Sequence, residues 1–215
     1  MARSRAGVRA LNPKAGVTRM TRLTDLHAEV DACRACELYR DATQAVFSRG
    51  RASARIMLVG EQPGDREDVE GEPFVGPAGR VLDEALKIAG IDRSDVYLTN
   101  AVKHFRFERR GKRRIHKKPG VSHITACHPW LEAELALVKP RVIVCLGATA
   151  GRSVLGRPVR VTAERGRPLE GPAATVPAVL TTHPSALLRI RDRTAYEPEL
   201  QDLAADLRRA AELAG

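Results

Sequence analysis

The chain has 215 residues, 43% hydrophobic and 29% charged, which suits one globular domain with a full core. No apolar run approaches a membrane span and the basic N-terminus lacks the apolar stretch of a secretory signal, so a cytoplasmic protein with no membrane partner is expected. The net charge of +10 sits mostly in two places: residues 1–22 hold six basic residues and no acid, and residues 103–118 hold nine with one acid, Glu108. The rest is slightly acidic. Such patches attract a polyanion without choosing its sequence. The first reads as a disordered tail (residues 1–22) ahead of a single domain (residues 23–215).

In chain order, "LTDLHAEVDACRAC" predicts a short helix, with Thr24 as its cap and Leu26 and Val30 on one face. "RIMLVG" (55–60) predicts a buried strand. "GPAGRVLDEALKIAG" (76–90) is helical, with Pro and Gly at its start and Gly90 where a C-cap belongs. "DVYLTNAV" (95–102) is the next strand, followed by a basic insert over residues 105–119. "HPWLEAELALVK" (128–139) is an amphipathic helix headed by Cys127. "RVIVCLG" (141–147) is a strand, "ATAGRSVL" a short helix, "AVLTTHPS" (178–185) a strand running into a turn, and "PELQDLAADLRRAAEL" (198–213) a closing helix.

Strand and helix alternate, which predicts an α/β domain with a mostly parallel central sheet flanked by helices. Sites in such sheets lie beyond the carboxyl ends of the strands. The four strand ends read "GEQPGD", "TNAVKH", "LGATA" and "THPS", which would bring Glu61, Gln62, Asn100 and His183 to one rim.

Four cysteines are present: Cys33, Cys36, Cys127 and Cys145. The C-x-x-C pair follows a helix, not a strand, which disfavours a thioredoxin-like redox role. The spacing suits thiolate ligation of zinc or of an iron–sulfur cluster. Cys145 lies inside an apolar strand and reads as a core thiol. Cys127 is the better third ligand, and His104, His123 and His128 are candidates for the fourth. On residues alone, three cysteines and a histidine favour zinc.

The segments "LVGEQPGDREDVEGEPFVGPAGRVLDEAL", "VYLTNAVKHF", "ACHPWLEAEL", "VIVCLGATA" and "TTHPSALLR" together resemble the iron–sulfur uracil-DNA glycosylases of the uracil-DNA glycosylase superfamily. The insert "GKRRIHKKP" resembles the loop of the UdgX-type subgroup. The resemblance covers about residues 24–213. It implies a [4Fe-4S] cluster held by Cys33, Cys36, Cys127 and His104, the histidine replacing the cysteine of most relatives. It also implies that Phe74 stacks on a flipped uracil, that Asn100 reads its Watson–Crick edge beside Gly60, and that His183 stabilises the departing anion. A carboxamide suits uracil, since cytosine presents the opposite pattern of donors and acceptors. Ser185 and Arg189 are expected on phosphate. Without the resemblance, Asn100 reads as a turn residue, Phe74 as a core aromatic and His183 as a satisfied buried histidine.

The stretch "RRGKRRIHKKP" surrounds one imidazole, His116, with seven fixed cations. On sequence alone it reads as a DNA-contacting flap. The subgroup's pattern implies instead that His116 captures the abasic sugar at C1′ once uracil has left, each molecule acting once. Lys112, Arg113, Arg114, Lys117 and Lys118 are then expected to hold phosphates, and the cations to keep His116 neutral. Glu61 is expected to accept a hydrogen bond from His116, and Gln62 to exclude water from C1′. The implied partner is uracil-containing DNA, preferably single-stranded, met by a monomer. The alternative is a metal-stabilised DNA binder without chemistry.

Overall fold

Short apolar runs without alternating polarity bury on both faces, and four of them form the parallel centre of one sheet. The computed structural model describes residues 22–171 and 174–215; residues 1–21 of the expected basic tail lie outside them. In chain order the elements are α1 (Leu23–Asp31), β1 (Ser48–Arg49), β2 (Ile56–Gly60), α2 (Asp65–Glu70), α3 (Pro77–Ala89), β3 (Val96–Asn100), β4 (Phe107–Arg110), β5 (Arg113–His116), α4 (Val121–Val138), β6 (Val142–Leu146), α5 (Ala148–Leu155), α6 (Val161–Glu164), β7 (Pro168–Gly171), β8 (Ala174–Thr181), α7 (Pro184–Leu187) and α8 (Arg193–Ala214). The main sheet runs β1-β3-β2-β6-β8-β7. β3, β2, β6 and β8 are parallel, and the outer strands β1 and β7 pair antiparallel. This is the α/β architecture expected from the alternating pattern.

Successive side chains of a strand enter opposite layers. Ile56, Leu58, Val142 and Val144 pack with Val81, Leu82 and Leu86 of α3 and Leu200, Leu203 and Leu207 of α8. Met57, Val59, Ile143 and Cys145 pack with Leu131 and Val138 of α4 and Val154 and Leu155 of α5. Leu82 and Leu203 are fully buried; truncating such a leucine to alanine costs about 2–5 kcal/mol. Cys145 is a core thiol, and burial pushes its pKa up to about 12. No described helix is long and apolar enough to cross a membrane.

Three helix starts differ from the sequence reading. Thr24 lies inside α1, behind an extended Arg22 that holds the cap position. α4 begins at Val121, because the His123 ring accepts the Gly120 N–H at 2.9 Å and so nucleates the first turn. Cys127 therefore sits inside the helix and does not head it. α8 begins at Arg193, where the Asp192 carboxylate accepts the Thr194 N–H at 2.9 Å. Both longer helices run through a proline, Pro129 and Pro198, near which the sequence reading had placed their starts.

The basic insert is a β-hairpin. β4 and β5 pair antiparallel about the two-residue turn Gly111–Lys112, with Phe107 opposite His116 and Arg109 opposite Arg114.

Candidate active-site cleft

The parallel strands all end at one rim. There the ends of β2, β3, β6 and β8, with the hairpin, enclose a cleft of about 870 Å³. Glu61, Gln62, Phe74, Asn100, His116 and His183 all line it, so the structure brings these residues, predicted from separate segments, to one place.

The floor is built on a close approach. Gly60 faces Asn100 in the β2–β3 register. A β-carbon at Gly60 would lie 2.3 Å from Asn100 Oδ1 and 2.6 Å from the tip of the Phe74 ring. Phe74 holds a left-handed conformation, φ 58°, which costs a bulky residue free energy that its surroundings must supply. Arg93 donates to its carbonyl at 3.0 Å, and Gly79 leaves the room, since a β-carbon there would meet that same oxygen at 1.9 Å. The Phe74 and His183 ring centres are 6.4 Å apart. Beneath the floor Lys103, fully buried, donates to the Asn100 carbonyl at 3.0 Å and to Glu134 at 2.6 Å, anchoring the end of β3.

His183 Nδ1 accepts the Ser185 N–H at 3.2 Å, and the Ser185 hydroxyl lies 2.8 Å from the same nitrogen. The proton of the neutral ring therefore sits on Nε2. Burial, with smaller contributions from His116 and Arg189, lowers the His183 pKa to about 4. The ring is thus a neutral donor, and Ser185 serves it directly.

Gln62 is buried and pins the base of the hairpin. Its amide nitrogen donates to the carbonyls of Arg106 (3.2 Å) and Lys117 (3.1 Å), and its oxygen accepts the Arg106 N–H at 3.2 Å. That last bond orients the amide, and an amide nitrogen cannot accept, so at 3.0 Å from His116 Nε2 it shares its two N–H groups among that ring nitrogen and the two carbonyls. His116 Nε2 therefore carries the lone pair. The Glu61 carboxylate approaches this nitrogen to 3.6 Å, beyond hydrogen-bonding range, while its other oxygen accepts from the Thr149 hydroxyl. The expected Glu61–His116 hydrogen bond is absent because Gln62 occupies the nitrogen; Glu61 acts on it through charge. The imidazole, half exposed, has a lowered pKa. Burial is the main cause, Arg189 adds to it and Glu61 opposes it, whereas the lysines and arginines flanking His116 in sequence are not among the causes.

The cations divide. Lys112, Arg113, Lys118 and Arg189 are exposed, and Lys118 and Arg189 line the cleft. Lys117 pairs across the hairpin with Glu108 at 2.5 Å. Arg114 departs from its expected phosphate role. Its guanidinium meets the carboxylates of Asp65 and Asp68, each at 2.5 Å, and lies over the rings of Phe105 and Phe107. These contacts fasten the hairpin to α2.

Two residues that the sequence reading passed over shape the cleft. The buried Glu67 carboxylate accepts the N–H groups of Gly64 (3.1 Å) and Gly76 (2.8 Å), fixing the two loops that carry Gln62 and Phe74. Its place three residues after Gly64 at the start of a helix is a readable capping signal. Thr149 fixes Glu61 from the first turn of α5.

Away from the cleft, Cys33 and Cys127 are buried and Cys36 partly so. Cys33 and Cys36 lie close enough to Cys127 to raise its pKa electrostatically, burial being the larger cause, to about 12. Trp130 Nε1–H donates to Cys33 Sγ at 3.3 Å. Of the three candidate histidines, His123 uses both ring nitrogens, on Gly120 and Glu37 (2.7 Å), and His128 lies 3.5 Å from Glu132. His104 is buried with Nδ1 unpartnered. Among the described residues no three Cys, His, Asp or Glu side chains converge closely enough to hold one metal ion.

Fold and cleft together define an α/β protein with a cleft at the carboxyl edge of a parallel sheet, floored by an aromatic ring and a buried carboxamide. Residues 47–208 match the family model of the uracil DNA glycosylase superfamily, and the chain belongs to that superfamily. It is 39% identical over 177 residues to the type-4 uracil-DNA glycosylase of Thermotoga maritima, covering 81% of this chain and 87% of that protein. With the type-4 enzyme of Archaeoglobus fulgidus the identity is 32% over 203 residues, 91% and 95% of the two chains. A type-5 uracil-DNA glycosylase of Pyrobaculum aerophilum is 31% identical over 223 residues, 95% and 92% of the two.

Proposed function

We propose that the protein excises uracil from DNA and then captures the abasic sugar through His116, as a UdgX-type member of the superfamily acting once per molecule. Superfamily membership and the type-4 relatives support excision. The observation that carries the covalent step is the position of His116: its lone-pair nitrogen lies 3.0 Å from Gln62 and 3.6 Å from Glu61, in the cleft that also holds Phe74, Asn100 and His183.

A flipped uracil stacks on Phe74 and pairs its edge with Asn100. The N1–C1′ bond breaks, its electron pair leaves with the base, and C1′ becomes oxocarbenium-like. His183 Nε2–H donates to uracil O2 as charge develops there. The Glu61 carboxylate stabilises the cationic sugar. His116 Nε2 gives its lone pair to C1′, leaving an imidazolium beside Glu61, and the uracil anion takes a proton from solvent. Gln62 keeps the Arg106 and Lys117 carbonyls as acceptors when it releases His116, so the bond is cheaply given up. Lys112, Arg113, Lys118 and Arg189 supply phosphate contacts. Single strands are the preferred substrate because an unpaired base costs least to flip, and the protein works as a monomer.

The lowered pKa of His116 sets the pH dependence. The neutral ring persists to lower pH than in an ordinary histidine, so the rate of adduct formation should hold from neutral pH down past about 6.5 and fall only below it. Rapid-quench rates across that range test this; a midpoint above 6.5 contradicts it.

The thiols and the orphaned His104 fit a [4Fe-4S] cluster. A single zinc ion needs four donors converging on one point, whereas a cube of four irons keeps its ligands further apart. Bound there, the cluster would tie Cys33 and Cys36 to the end of β3 and to α4, and supply structural order only. Burial keeps the Cys127 thiol protonated until a metal displaces its proton. Purified protein should be brown, absorb broadly at roughly 400 nm, and contain iron and sulfide. A colourless protein with one zinc contradicts this assignment.

A further inference from the structure

The reaction gives no role to Asp68, fully buried at the centre of a network that joins three separate segments. One segment is residues 33–47, which carries Cys33 and Cys36. Its Thr43 donates to Asp68 from the backbone N–H, shared between both carboxylate oxygens at 3.0 and 3.1 Å, and from the hydroxyl at 2.6 Å. The next residue, Gln44, donates to the carbonyls of Asp68 (3.1 Å) and Val69 (2.9 Å). The second segment is α2, which bears Asp68 just after the loop holding Gln62. The third is the hairpin, whose Arg114 reaches Asp68 at 2.5 Å and the Thr43 hydroxyl at 3.3 Å. Arg114 is two residues from His116 and takes no part in the chemistry.

We infer that Thr43, Asp68 and Arg114 form a joint through which the cysteine-bearing segment positions the His116 hairpin, and that this joint sets how often C1′ is captured by His116 and how often by water. The inference rests on the covalent reading above. Its geometry is specific. Phe105 and Phe107 cover the Arg114 guanidinium, and Asp65 and Asp68 hold its edge, leaving the side chain 15% exposed. The Asp68 carboxylate is shared between Thr43 and Arg114, so displacing either partner loosens the other. Gln62 holds the hairpin at its base; the joint holds it on the flank of β5, next to the nucleophile. Uracil recognition uses Asn100, Phe74 and His183, none of which touches the joint. Thr43 and Asp68 are therefore positioning residues for capture alone.

The test is the partition of one turnover. Thr43→Val removes the shared hydroxyl while keeping the shape, Thr43→Ser restores it, and Asp68→Asn weakens the node itself. Each holoprotein is given uracil-containing single-stranded DNA, and free uracil and covalent adduct are both counted. A displaced nucleophile loses on the order of tenfold or more in an oriented reaction. In Thr43→Val the adduct formed per uracil released should therefore fall about tenfold, with excision within about twofold of the parent. Thr43→Ser should recover the parent ratio, and amide exchange should quicken in residues 107–116 of Thr43→Val but not in β2 or β3. An unchanged ratio and unchanged hairpin exchange in Thr43→Val overturn the joint. Equal loss of excision and capture, with a lowered melting temperature in both Thr43→Val and Asp68→Asn, overturns it as well, since a structural role alone does that. A parent protein that releases uracil and forms no adduct overturns the covalent reading instead, and the exchange measurement still decides the coupling.

Discussion

Replacing His116 with alanine should abolish the covalent adduct on uracil-containing single-stranded DNA, a loss of at least about 10²–10³-fold, because the oriented imidazole contributes an effective concentration that no other group supplies. The imidazole is half exposed at the edge of a hairpin, and its removal leaves one Gln62 N–H with two carbonyl acceptors still in place. Stability should therefore change little, within about 0.5 kcal/mol as for most surface substitutions. A denaturing gel checks the outcome: the parent migrates as a heat-stable and detergent-stable conjugate and His116→Ala does not. Equal adduct from both proteins would remove His116 from the reaction.

The second large effect is expected from a single methyl group. Gly60→Ala places a β-carbon 2.3 Å from Asn100 Oδ1 and 2.6 Å from the Phe74 ring, so the two groups that would hold uracil must both move. A misplacement of about 1 Å in a positioned site costs roughly 10²-fold in rate, so uracil excision should fall by at least about that factor. The backbone at Gly60 is ordinary strand, and the conflict is with side-chain tips. The stability cost should stay near the ~1–3 kcal/mol typical of overpacking. Excision kinetics beside a thermal melt separate the two effects. Excision at the parent rate in folded Gly60→Ala would show that Asn100 and Phe74 do not jointly form the base pocket.

The parts of this molecule legible in the sequence were those set by local patterning. The runs "IMLVG", "VYLTN" and "VIVCL" carry no alternation because both sheet faces are covered, and that is readable without knowing what covers them. The rim residues followed, since each directly ends or follows such a run. Cys145 could be assigned to the core from its apolar neighbours alone.

What escaped was decided by partners distant in sequence. Arg114 looks like any other cation in "KRRIH", and only the arrival of Asp65 and Asp68 removes it from the DNA-facing set. The hairpin itself was missed because dense charge hid a two-residue Gly–X turn between short strands, a signal that turn chemistry does offer. The lowered pKa of His116 has the expected direction, but burial and the distant Arg189 cause it and the cations adjacent in sequence do not, and neither cause can be read from the hairpin's own residues. Among His104, His123 and His128, sequence proximity to the cysteines could not choose; ring nitrogens already spent on Gly120 and Glu37 exclude His123, and His104 alone is left with a buried, unpartnered nitrogen.

One experiment reaches the nucleophile itself. The conjugate formed with uracil-containing DNA is digested with protease and nuclease, and the modified peptide is sequenced by tandem mass spectrometry. The deoxyribose remnant should sit on the imidazole of His116. Its attachment to Lys118, which lines the same cleft, or to any other side chain would contradict capture by this histidine.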